Sequence, residues 1–242
     1  DRMIATIVNV ILILIGSTIG LAVGGHLPER LSKTITAGLA LCVAMIGIIN
    51  AVQTADILCV ILCITAGGLL GEWLNIEKHM DRAGEKLKHI LMKRFGNQRN
   101  MGRFTEGFVA ATLLFCVGSM AVMGSLEAGI NHDYSILISK GVIDGVSAIT
   151  FAATMGIGVF FSVIPLLLYQ GGITLLAGAV APFLSDAAVV EMSAVGGVML
   201  LGLAVNMLNL RQERIRVGNM LPALVLPLLY LPLAQWFGQW LG

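Results

Sequence analysis

Charge is what this chain most lacks. Asp, Glu, Lys and Arg make up 12% of its 242 residues, about half the share of roughly 25% usual in soluble domains. A water-facing surface cannot be assembled from so few charges, which excludes a soluble globular fold. The net charge of +1 gives no global field that would favour nucleic acid. Motifs that carry chemistry are missing too: there is no phosphate-cradling glycine loop, no nucleophile elbow and no His-Glu-x-x-His. His26, His79, His89 and His132 fall in polar connections without metal-ligand spacing. Cys42, Cys59, Cys63 and Cys116 all lie inside apolar runs. Cys59 and Cys63 share a helix face, but the Cys-x-x-Cys spacing of zinc and redox sites is absent, so the four read as packing residues. No cofactor, no metal and no enzymatic activity is expected.

What the chain has is apolar length. Hydrophobic residues make up 57% of it, with 29 glycines and a mean hydropathy of +0.90. A membrane-crossing helix takes about 20 apolar residues, and the sequence divides into about eight such spans. They cover Met3–Gly25, Leu31–Gln53, Ala55–Leu74, Phe104–Ile130, Tyr134–Gly156, Ile157–Leu184, Asp186–Leu210 and Met220–Leu241. The first lacks a small-residue cleavage site and is expected to be retained rather than removed as a signal peptide. The long apolar region 134–184 is long enough for two spans, and Gly156, Gly158 and Pro165 are the places for the break, with the two spans expected to meet near Gly156–Gly158. The fold class is therefore all-α, a polytopic transmembrane helix bundle forming a single domain over residues 1–242.

The basic residues give that bundle a direction. Residues 75–103 hold Lys78, Arg82, Lys86, Lys88, Lys93, Arg94, Arg99 and Arg103, more than half of the chain's 15. By the positive-inside rule this segment is cytoplasmic, together with the connections bearing Arg30 and Lys33 and bearing Arg211, Arg214 and Arg216. The connections at 53–56 and 131–135 carry no Lys or Arg and fall outside, as do both termini. Within 75–103, Ile76, Met80, Ala83, Leu87, Ile90, Leu91 and Phe95 recur at helical spacing opposite a charged face. That pattern predicts an amphipathic helix on the membrane surface. Residues 17–28 also resemble residues 171–182, each ahead of a span ending near an asparagine, Asn50 or Asn206. In this topology the two run in opposite senses, which suggests the inverted repeat common in secondary transporters.

Lys140 and Asp144 are the residues most costly to place. They are one helical turn apart with Gly141 and Gly145 beside them, near mid-membrane, so they should pair and face the bundle interior. An ion pair that pins helix register and an ion or proton relay explain them equally well. Asn9 and Gln170 are further amides within spans. Cys116 and Ser119 flank Gly118, and small residues there offer a place for a helix to unwind over a cavity. Pro165 and Tyr169-Gln170-Gly171-Gly172 offer a second break. Glu106 and Glu191 lie near span ends and read as interfacial. Gly16, Gly20 and Gly24 form a bare stripe for close helix packing, a stripe that would also serve as the seam of a homo-oligomer.

Phe115-Cys116 followed by Met120 and Gly124-Ser125, Lys140 with Asp144, Gln170-Gly171, Ser193-Ala194-Val195-Gly196-Gly197 and Asn219-Met220-Leu221-Pro222-Ala223-Leu224 resemble the YqgA-like bacterial membrane proteins. Pro28-Glu29-Arg30 and Gly71-Glu72 fit the same pattern. The resemblance covers essentially the whole chain. It implies a bacterial inner-membrane location and no activity, because that family is a domain of unknown function. The residues themselves point first to a transporter or permease for a small solute or ion. The alternative is a non-transporting scaffold or signalling partner acting through the 75–103 helix.

Overall fold

All the isoleucines of the first helix except Ile13 face the opposite way from those of a soluble protein. In the computed structural model, which describes residues 2–82, 85–86 and 104–241, α1 runs from Ile4 to Gly24. Ile4, Ile7, Ile11, Ile15 and Ile19 lie on its exposed side, while Thr6, Asn9, Gly16, Ser17 and Gly20 are buried. Lipid tails are as apolar as isoleucine, so burying it gains little. Helices in a bilayer associate instead through small residues and polar contacts.

The partner of that buried stripe is α6, Ser135–Met155. A Cβ on Gly16 would lie 2.1 Å from the Gly145 carbonyl oxygen, on Gly20 2.2 Å from that of Ile149, and on Gly24 2.4 Å from that of Ala153. Successive turns of α1 meet successive turns of α6 in the same sense, so the two helices run parallel, backbone against backbone. The glycine stripe is thus occupied by a helix of its own chain. A second close pair joins α2, Glu29–Ala51, to α10, Asp186–Met207, where Gly47 and Gly197 each abut the other's backbone. In a third, Gly67 and Gly71 of α3, Ile57–Leu74, seat Ala223 and Asn219 of a 3-10 helix, Val217–Leu224.

Between these pairs lie the broken segments. α4, Phe104–Cys116, and α5, Ser119–Ile130, are bent by 58° at Gly118, whose φ of 116° is closed to other residues. α6 ends at Gly156, φ 83°, and the chain resumes as α7, Gly158–Phe161, α8, Val163–Leu175, and α9, Ala177–Val180. The split of 134–184 at Gly156–Gly158 is as expected. The second interruption is not: Tyr169–Gly172 stays helical within α8, and the breaks fall at Ser162 and Leu176. Restarting the helix at Val163 puts Pro165 in its first turn, where a missing N–H leaves no bond unmade. The last span also differs from the expected continuous helix. Pro222 holds it in 3-10 form from Val217, and after a 46° bend α11 starts on Pro227.

The described residues therefore contain six helices long and apolar enough to cross a membrane, and eight when each bent pair counts as one. The connections around Glu29–Lys33, Glu77–Asp81 and Arg214 meet at one end. A cavity of about 510 Å³ brings Glu29, Lys33, Glu106 and Asn209 together, and an adjoining one of about 170 Å³ brings Glu77, Asp81, Glu106 and Arg214. Of the amphipathic segment, residues 76–82 are helical with Ile76 and Met80 half-buried; its pattern beyond residue 86 lies outside the described residues.

Candidate functional site

Lys140 and Asp144 form a direct ion pair inside the bundle, each 5% exposed. Asp144 lies nine residues beyond the first residue of α6, about 14 Å along the axis at 1.5 Å per residue. Their glycine neighbours admit α1 closely enough for its side chains to reach them: a Cβ on Gly141 would lie 3.2 Å from the Asn9 Cα. Asn9 donates through Nδ2 to Asp144 Oδ2 at 3.1 Å and to Gln170 Oε1, from α8, at 3.3 Å. Asn9 and Gln170 are fully buried. The charge of Asp144 is thus met by an ammonium from its own helix and an amide from α1, and α8 joins through the Asn9 amide. Removing either charge would leave the other in a medium that cannot solvate it.

The cluster is not fully satisfied. Asn9 Oδ1, Gln170 Nε2, Thr6 Oγ1 and Thr174 Oγ1 are buried with no hydrogen-bond partner among the described residues. Each such group costs on the order of 1–3 kcal/mol if left dry. Thr6 stands one turn from Asn9 on α1, and Thr174 one turn from Gln170 on α8. Neither threonine stood out in the sequence, although both spacings, three and four residues from an intramembrane amide, are visible there.

Beside the cluster, the α4–α5 break opens a cavity of about 160 Å³ whose lining includes Thr112, Cys116, Gly118, Tyr169 and Ser193. Cys116 lies within electrostatic range of both Lys140 and Asp144, and Thr112 Oγ1 is another buried atom without a partner among the described residues. Ser119, by contrast, is exposed, so of the two small residues flanking the break only Cys116 belongs to the interior.

The remaining polar residues do structural work. Glu191 is 2% exposed. It accepts hydrogen bonds from Thr54 Oγ1 (2.7 Å), Ala55 N (2.8 Å) and Asp56 N (3.1 Å), tying α10 to the turn before α3. Asp56 caps α3 and accepts from the Tyr230 hydroxyl at 2.8 Å. Glu106 lies 3.6 Å from Arg214 at the basic end. Asn206 holds both backbone groups of Ile215. A network unforeseen in the sequence docks the helical start of the amphipathic segment. Asn219 accepts from Glu77 N (2.7 Å) and donates to Glu72 (2.6 Å), Glu77 accepts from Gly218 N (3.1 Å), and Arg216 pairs with Glu72. Burial raises the Glu77 carboxyl above its ordinary range, against a smaller opposing effect of the Gly218 hydrogen bond.

Comparison with known proteins agrees with this membrane architecture. The model of a family described as a protein of unknown function, DUF554, matches residues 4–231. The chain is 31% identical over 237 residues to the uncharacterized protein YqgA of Escherichia coli K12, covering 98% of both chains. It is 27% identical over 230 residues to the uncharacterized membrane protein YdfK of Bacillus subtilis 168, covering 93% of this chain and 94% of that one. No solved structure matches.

Proposed function

The chain belongs to the DUF554 family, and from its site we propose that it is a multi-pass protein of the bacterial inner membrane that moves a small solute or ion. The observation that carries this reading is the Lys140–Asp144 pair. It is held at mid-helix by Asn9, itself bonded to Gln170, and the remaining polar atoms of those two amides are unsatisfied. A purely structural pair would be expected to close its hydrogen bonds. Intramembrane charges facing a bundle interior mark ion and substrate pathways. Interrupted helices, as at Gly118 and Gly156, are where transporters expose backbone to a site. The proposed orientation, with basic connections in the cytoplasm, is supported by their meeting at one end of the bundle. The inverted repeat belongs to the same proposal.

A thermal-shift screen of solutes and ions on the detergent-purified protein tests it, because a ligand that binds the folded state raises its melting temperature. The expected result is a ligand that stabilises the wild type and fails to stabilise the Lys140→Met/Asp144→Leu variant. A screen in which nothing discriminates between the two proteins would favour the scaffold reading, with the 75–103 segment as the working part.

A further inference from the structure

Four of the unpartnered buried atoms lead from the cluster towards one end of the bundle; Ser17 Oγ, two turns from Asn9 towards the other end of α1, and Thr112 Oγ1 on α4 lie off that line. Asn9 and Gln170 touch each other, and Thr6 and Thr174 are the next polar residues along their two helices. These threonines sit at one level. The Gly129 backbone packs against the Thr174 carbonyl, its neighbour Ala128 belongs to one cluster with Ala5 and Leu137, and Ala5 adjoins Thr6. That level is the one from which the 131–134 connection leaves α5 and enters α6. All four side chains are fully buried, and each keeps one polar atom without a partner among the described residues.

We propose that Thr6, Thr174, Asn9 and Gln170 line a file of water molecules that carries protons between Asp144 and the 131–134 end of the bundle. Buried water occupies sites where it can make two to four hydrogen bonds to otherwise unsatisfied groups, and two hydroxyls, an amide oxygen and an amide nitrogen supply such a set. A proton taken from bulk water at the outer end passes along the file to the Asp144 carboxylate, and the same file returns it. The titratable groups near Asp144 are Lys140 on its own helix and Cys116 on α4; α1 and α8 present amides and hydroxyls. At that end stand Glu127, which accepts from Asn131 at 2.7 Å, and Asp133, which accepts from Ser135 N at 2.9 Å. The inference rests on the transport reading only for the role of Asp144, and names the proton as the ion admitted there.

The test is a pH jump on the full-length protein in lipid nanodiscs, with the Asp144 carboxyl stretch followed by time-resolved infrared spectroscopy. The band is identified by its isotope shift in 13C-aspartate protein and its displacement in Asp144→Glu. A titrating band is expected, with a response slowed several-fold in Thr6→Val/Thr174→Val, restored in Thr6→Ser/Thr174→Ser, and unchanged in Thr112→Val, which lies off the file. If the valine pair does not fold, Thr6→Ala and Thr174→Ala are measured singly, with slowing again expected. A band that never titrates, valine or alanine variants as fast as wild type, or equal slowing by Thr112→Val would overturn the proposal. An empty solute screen would leave a positive pH-jump result standing, and the reverse holds too, so the two readings fail separately.

Discussion

Asn9 of α1 holds Asp144 of α6 across 135 residues of sequence, its Nδ2 3.1 Å from the carboxylate. The bond is made where Gly141 and Gly145 let α6 close on Asn9 and Leu12 of α1, beside the contact of Gly16 with the Gly145 carbonyl. The candidate site and the α1–α6 glycine contact are therefore continuous, and substitutions in either should be felt in the other.

Asp144→Asn removes the charge that Lys140 faces in a 5%-exposed position. The cost expected for breaking a buried pair is about 3–5 kcal/mol, seen as a lowered melting temperature in detergent. Lys140→Met/Asp144→Leu should recover much of that loss, because no charge is then stranded. A double variant as unstable as the single would show that the pair does more than neutralise itself.

Glycine substitutions should separate by what their Cβ would meet. Gly20→Ala puts a methyl 2.2 Å from the Ile149 carbonyl oxygen and must spread α1 from α6, a loss of about 1–3 kcal/mol or more. Gly38→Ala in α2 meets nothing within 4 Å and should be neutral or stabilising by up to about 1 kcal/mol. Equal melting temperatures for the two would contradict the packing described.

Gly118 is a third case, with open space around it but a φ of 116°. Gly118→Ala should cost about 1–3 kcal/mol through backbone strain alone. It should also alter reagent access to Cys116 in the adjoining cavity, measured by thiol labelling rates.

Glu77 predicts a pH dependence with a definite sign. Its carboxyl is raised by burial, so the folded protein holds the proton more tightly than the unfolded chain. Its contribution is most favourable below the ordinary carboxylate value and is lost as pH rises through the raised value. Docking of residues 76–82 on the 3-10 helix should loosen over that interval, visible as faster amide exchange at residues 76–82. Glu77→Gln should flatten that dependence.

Orientation can be read directly with a membrane-impermeant thiol reagent on intact cells. Cysteine placed at His132 should label from outside, and cysteine at Lys78 only after the cells are opened. Labelling of position 78 in intact cells would reverse the proposed topology.

Span number, the breaks at Gly118 and Gly156, and an inward-facing Lys140–Asp144 pair were all legible in the sequence. Each depends on local quantities: hydropathy over about 20 residues, glycine's backbone freedom, and the cost of a charge in lipid. Where local signals were weak the sequence misled. Tyr169-Gln170-Gly171-Gly172 looked like a break and stayed helical. What only the tertiary structure decided is which faces meet. Gln170 reaches Asn9 from 161 residues away, and Thr6 and Thr174 belong to the site because α1 and α8 bring them level. No periodicity records such a pairing. In a bilayer nearly every helix face is apolar enough to sit against lipid, so partners are selected by close fit of small residues and by the need to satisfy buried polar atoms.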